Sequence, residues 1–280
     1  MSDVAPPILA VHGIWNRIDG APPDEAAQTL AGKWQPALAA GYTAAGLDEP
    51  APGIVAAYYA DLLATQAQGG LDDLGTLSPA EQRWAWAWMT GLGVPAETSQ
   101  GYGTVALRQG LDWLARRRGP GAAVIARIMT AFLREVFAYM TRPALRGRAR
   151  ARVIDALEVC RPRVVVAHSL GSVVAYEALH ARPDLGVDLL VTVGSPLGLP
   201  EAVFDGLEPE PRDGRGERPP GVGRWVNIAD PGDLVAVPAR LGDRFPVDLH
   251  EEAHIGRLDF HTMAGYLGCG LTAAAVQPYA

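Results

Sequence analysis

Residues 163–176, RVVVAHSLGSVVAY, constrain this chain more than any other stretch. Three valines and an alanine read as a buried parallel strand, and the residues after Gly171 read as a helix. His168-Ser169-Leu170-Gly171 between them leaves room only for a sharp turn. Such a turn stands the hydroxyl of Ser169 above the edge of a parallel sheet. The pattern is G-x-S-x-G with Ala167 in place of the first glycine. Small residues are required at both ends because strand and helix come within backbone contact there, and alanine adds only a methyl group. A Ser-x-Gly triplet alone arises by chance in many chains. Its placement between a buried strand and an apolar helix is what carries information.

The rest of the chain supplies the sheet for this turn. Residues 8–16 read as a first apolar strand running into Gly13, residues 54–59 as a second, 189–193 as a fourth, 224–229 as a fifth, and 245–249 as a short sixth. No strand pattern occurs in the hundred or so residues before the serine turn. Helical signals fill that gap. Ser78-Pro79-Ala80-Glu81 fits a capping box with proline at the first helical position, predicting a helix over residues 79–91. From Ile125 an i, i+3, i+4, i+7 stripe (Ile128, Met129, Phe132, Leu133, Val136, Phe137, Met140) ends before Pro143, and a further helix is predicted over residues 148–159. Asp24 is expected to cap an earlier helix. The expectation is a single α/β domain over residues 1–280, a mostly parallel sheet flanked by helices, with a helical insertion over residues 62–145. Residues 205–223, dense in Pro and Gly, read as a loop without a core of its own.

Composition narrows the partners. A formal charge of -7 and a pI near 5.4 argue against nucleic acid or an anionic membrane surface. No uninterrupted run of about eighteen apolar residues exists, so no membrane span is expected. A strand starting near Ile8 leaves no room for a signal peptide, and Cys160 and Cys269 are too few and too far apart for a disulfide framework or a zinc site. A reduced, cytoplasmic setting and a small neutral substrate are expected. No metal or other cofactor is called for.

With the His12-Gly13 turn, the serine turn and Asp233-Leu234-Val235 in place, the chain resembles the α/β-hydrolase superfamily, in particular its compact lipases and esterases. The order Ser169, then an acid at 230 or 233, then a late histidine is that superfamily's Ser…Asp…His order. The resemblance implies a serine hydrolase with Ser169 as nucleophile, His261 as base and Asp233 as the acid that orients it. Asp230, followed by Pro231, reads instead as a turn opener capping nearby N–H groups. The same resemblance implies an oxyanion hole from the N–H groups of Ile14 and Leu170, with Trp15 beside it, and a helical cap over the site. His250 and His254 are set aside as bases. His12 and His168 are read as loop histidines satisfied by backbone groups, and Ser195, followed by Pro196, as a turn residue.

Nothing in the motifs names a substrate. Trp84, Trp86 and Trp88 in the cap offer apolar surface and are expected to line a substrate site. An ester or thioester with an apolar acyl part is the leading expectation. A thioesterase or cyclase acting on a carrier-bound acyl chain, a serine peptidase and a non-catalytic interaction protein on the same fold stay open.

Overall fold

The computed structural model describes residues 7–63, 74–98, 103–118, 121–256 and 261–280. They form a six-stranded, wholly parallel sheet of β1 (Ile8–Val11), β2 (Ile54–Ala57), β3 (Val164–His168), β4 (Val187–Val193), β5 (Val222–Ala229) and β6 (Leu249–Glu252), in the order β2-β1-β3-β4-β5-β6. Side chains alternate across a strand, so each central strand feeds two cores. Val165 and Ala167 of β3 enter one core with Leu9, Val11 and Leu190, while Val164 and Val166 enter the other with Ile8, Ala10 and Val191. The order reverses at β1, which has β2 on one side and β3 on the other. Parallel α/β sheets hold their sites at the carboxyl ends of the strands beside such a reversal.

Helix α1 (Pro23–Ala44) covers the second core together with α8 (Met263–Gly268) and α9 (Leu271–Val276). Its buried stripe, Ala26, Leu30, Trp34 and Leu38, repeats every four residues. The first core lies beneath α2 (Ala60–Leu63), α3 (Pro79–Gly91), α4 (Thr104–Arg118), α5 (Ala122–Thr141), α6 (Pro143–Cys160) and α7 (Leu170–Ala181). Helices α3 to α5 fall within the expected insertion, of which residues 64–73, 99–102 and 119–120 lie outside the described residues. The capping box of α3 is present: Glu81 N–H donates to Ser78 Oγ at 3.3 Å and Ser78 N–H to Glu81 Oε2 at 2.8 Å.

Several boundaries differ from the sequence expectation. Asp24 caps nothing: Pro22 occupies the cap position, Pro23 opens the helix with its fixed φ, and Asp24 lies in the first turn, where its charge faces the helix dipole. Helix α6 starts at Pro143 rather than residue 148, because proline is tolerated at a first helical position. Helix α4 was not expected, although Leu107, Leu111 and Leu114 form its buried face. The sixth strand is Leu249–Glu252, and Phe245 packs instead against Tyr176, Phe204 and Trp225. The loop at 205–223 does have packing: Leu207 is buried, and Gly216 lies against the Phe245 ring.

Among the described residues, no helix is long and apolar enough to cross a membrane.

Candidate active site

Ser169 ends β3 and opens α7 with φ 53° and ψ -131°, a conformation a serine adopts only when its surroundings impose it. Two of those surroundings are glycines. A Cβ on Gly171 would lie 2.3 Å from the His12 carbonyl oxygen and 2.4 Å from that of Val11, so only glycine lets α7 start against the end of β1. A Cβ on Gly13 would lie 2.4 Å from Ser169 Cβ, which puts the loop after β1 directly against the serine. Ser169 N–H donates to the Val193 carbonyl at 3.1 Å and anchors the turn to β4. The Ser169 carbonyl accepts the Ser172 hydroxyl at 2.6 Å, and Ser195 Oγ lies 2.7 Å from Ser172 Oγ. Ser195 thus sits in the hydrogen-bond chain beneath the turn.

Three side chains from separate strand ends meet above it. His261 Nε2 is 2.9 Å from Ser169 Oγ, and His261 Nδ1 is 2.8 Å from Asp233 Oδ2. His261 precedes α8, whose cap residue Thr262 accepts Gly265 N–H at 3.1 Å. Of the stretch leading into it, Asp259 and Phe260 lie outside the described residues. Asp233 stands in the turn after β5, where its Oδ1 accepts Val235 N–H at 2.8 Å and Ala236 N–H at 3.4 Å. Its Oδ2 also accepts the Tyr266 hydroxyl at 2.6 Å. The carboxylate is fully buried and hydrogen-bonded through both oxygens. A carboxylate can only accept, so the histidine proton lies on Nδ1 and Nε2 is left to accept from Ser169.

Asp230 has a different task. Its Oδ1 accepts Gly232 N–H at 2.7 Å and its Oδ2 accepts Ile255 N–H at 2.8 Å, tying its own turn to the chain beyond β6. His254, with an exposed side chain, lies 3.8 Å from the same carboxylate, and His250 points to Asn227 at 3.0 Å.

His12 is neutral and bound to backbone. Its Nδ1 donates to the Gly13 carbonyl at 2.8 Å, its Nε2 accepts Tyr59 N–H at 3.1 Å, and burial lowers its pKa to about 4. His168 departs from the expectation that backbone groups satisfy it. Neither of its ring nitrogens has a partner among the described residues, and the ring packs on His261 with centroids 4.6 Å apart. Burial, with His261 and His12 nearby, holds its pKa well below the usual value, so it presents no charge to His261.

Ile14 and Leu170 are both buried, and among the described residues neither N–H has an acceptor. Buried unpaired donors are rare and point to a ligand or function. Trp15, at φ 61°, is half exposed on the same loop. The three tryptophans of α3 find their neighbours inside the protein. Trp84 packs on Phe137 at 5.0 Å, and Trp86 lies beside Gly110 of α4. Trp88 is fully buried against Phe132 at 4.7 Å and donates its indole N–H to the Leu234 carbonyl, one residue from Asp233. Trp88 therefore braces the acid turn.

A site residue that no sequence motif marks is Tyr266, five residues after His261 on α8. Among the described residues no three His, Cys, Asp or Glu side chains cluster to hold a metal ion. Comparison of the chain with protein-family models, with curated proteins and with solved structures returned no match.

Proposed function

We propose that this protein is a serine hydrolase of the α/β-hydrolase type. The observation that carries the reading is the relay Ser169 Oγ, His261 Nε2, His261 Nδ1, Asp233 Oδ2, with contacts of 2.9 and 2.8 Å, built on a serine in a strained strand-to-helix turn. The order of serine, acid and histidine after β3, β5 and β6 supports the same reading. Within that class, we assign it an ester or thioester substrate with an apolar acyl part.

In the first half-reaction Ser169 Oγ attacks the substrate carbonyl carbon as its proton passes to His261 Nε2, and the carbonyl π electrons move to oxygen. Ile14 and Leu170 N–H are the donors available to that oxygen, each worth about 3 to 4 kcal/mol in measured systems. When the tetrahedral centre collapses, the alcohol or thiol leaves with the proton from Nε2 and the acyl group stays on Oγ. A water then repeats the sequence, giving its proton to Nε2, and releases the acid. Asp233 keeps the imidazole oriented and stabilises its charged form throughout.

A fluorophosphonate probe tests the reading. Ser169 should be labelled, and Ser169→Ala should fold normally and lose both labelling and hydrolysis of nitrophenyl esters and an acyl-thioester. Labelling that persists in Ser169→Ala, or that maps to Ser195, would overturn the nucleophile.

A further inference from the structure

The loop Gly13-Ile14-Trp15-Asn16 is held by its carbonyls. The Gly13 carbonyl accepts His12 Nδ1–H at 2.8 Å and an Asn16 Nδ2–H at 3.1 Å, and the Ile14 carbonyl accepts the Asn16 amide at 2.8 Å. A trans peptide is planar, so fixing a carbonyl aims the following N–H the opposite way. The Gly13 carbonyl therefore sets the direction of Ile14 N–H, and the Ile14 carbonyl sets that of Trp15 N–H. The acceptor of Trp15 N–H is Glu135 Oε1, at 3.4 Å, on α5 of the helical insertion.

Two features make Glu135 unusual. It interrupts the apolar stripe of α5, with Phe132, Leu133, Val136 and Tyr139 all buried around it. Among the described residues it also has no cationic partner. Glu135 is half-buried, and withdrawing a carboxyl from water without a cation is unfavourable: desolvation pushes its pKa up to about 7 while the Trp15 N–H works in the other direction. An apolar residue at this place would pack without that penalty. Trp15, for its part, holds a positive φ that a bulky side chain disfavours, and its half-exposed ring is too loosely packed to impose it.

We propose that Glu135 is a positioning residue through which the helical insertion holds the loop after β1: it fixes the Ile14–Trp15 peptide, and so the backbone of Ile14 on the side away from the Gly13–Ile14 peptide, whose N–H is the donor offered to the reacting carbonyl. The proposal rests on the serine-hydrolase reading for its catalytic consequence, though not for the contact itself. It makes the order of the loop after β1 depend on the seating of α5.

The test compares wild type, Glu135→Leu and Glu135→Gln. Leucine removes the acceptor and suits the apolar stripe, so this variant should fold, whereas glutamine keeps an acceptor oxygen. Hydrogen exchange of residues 13–16, read by mass spectrometry, should speed up in Glu135→Leu and stay near wild type in Glu135→Gln. On a short nitrophenyl ester, kcat should fall about 10- to 100-fold in Glu135→Leu with little change in KM, and Glu135→Gln should recover most of it. Unchanged exchange in a folded Glu135→Leu overturns the proposal whatever the turnover. Faster exchange with kcat intact, or a loss confined to KM, overturns it equally, the latter by making Glu135 a substrate contact. Wild type that neither labels nor hydrolyses would sink the hydrolase reading and the assigned consequence for turnover, while the exchange arm still judges the hold on the loop.

Discussion

Tyr266 donates its hydroxyl proton to Asp233 Oδ2 at 2.6 Å, the same oxygen that faces His261 Nδ1, while the tyrosine oxygen accepts Asp230 N–H at 2.9 Å. One phenol thus joins the two aspartates of the turn after β5. Burial and the neighbouring Asp233 carboxylate raise its pKa, so it remains a donor across any working pH. Tyr266→Phe should leave Asp233 with three of its four hydrogen bonds and lower stability by about 1.5 to 3 kcal/mol, the usual range for a bond to a charged group. Turnover should fall with KM little changed, because the loss acts through the orientation of His261. Thermal melts beside kcat and KM on one ester check both parts, and an unchanged kcat would remove Tyr266 from the relay.

Asp233 and Asp230 separate by what their carboxylates bind. Asp233→Asn puts an amide N–H or a misdirected carbonyl opposite His261 Nδ1, and in a well-studied protease the matching change costs about 10⁴ in turnover through the wrong tautomer. A comparable loss is expected here, with folding retained. Asp230→Ala frees two N–H groups, of exposed Gly232 and half-buried Ile255, and should act on stability, by about 1 to 3 kcal/mol in all for the lost bonds to a charged group. Turnover and thermal melting of the two variants decide the matter, and the opposite ranking moves the acid's role to Asp230.

Buried His12 and half-buried Glu135 should tilt the pH dependence of stability in opposite directions. His12 has its folded pKa lowered from 6.5 to about 4, so between those values the unfolded chain binds a proton that the folded chain refuses. Its contribution is fully present above 6.5 and is lost as pH falls toward 4, on the order of 3 kcal/mol in all. Glu135 has its folded pKa raised from 4.5 to about 7, so the folded chain keeps a proton that the unfolded one releases. That contribution is present below 4.5 and is lost as pH rises through 7. Denaturant unfolding at a series of pH values should therefore show His12→Gln with a shallower rise of stability between pH 4.5 and 6.5, and Glu135→Gln with a steeper one. Equal slopes in all three proteins would mean that neither group titrates as its burial implies.

The sequence made some of this legible and hid the rest for physical reasons. Ser169, Asp233 and His261 each follow a strand, and parallel strands bring their carboxyl ends to one edge, so their meeting there follows from topology alone. The capping box of α3 is local chemistry and was readable to the residue. Tyr266 was hidden because the reach of its hydroxyl depends on how α8 packs. Glu135 was hidden because an apolar stripe draws the eye to its leucines and phenylalanines. Helical periodicity placed Trp84 and Trp88 on one face of α3 but could not say what covers that face. The cover is α5 and the acid turn. His168 escaped because nothing in its neighbours tells a satisfied ring from an unpartnered one.

Helix α7, which Ser169 opens, is held by a buried ion pair. Glu177, buried in the middle of α7, receives Arg146 of α6 through both carboxylate oxygens, the Tyr139 hydroxyl of α5 at 2.6 Å, and Glu208 N–H at 3.2 Å. The network binds the helix behind Ser169 to two helices of its own layer. Arg146→Met removes the cation and leaves a buried carboxylate with only neutral donors, a change that typically costs about 3 to 5 kcal/mol. Glu177→Leu strands the guanidinium instead, although Glu208 remains 3.3 Å from it and softens the loss. The double variant puts two apolar side chains where two charges stood, and buried pairs replaced in this way are often neutral or better. Denaturant unfolding should thus find the double variant clearly more stable than the sum of the single losses. Fluorophosphonate labelling, measured well below the melting temperature, should persist in all three, because the network touches neither His261 nor Asp233. Additive losses would mean that the charges do not act as a pair, and lost labelling in the folded double variant would mean that the network sets the geometry of Ser169 as well as its stability.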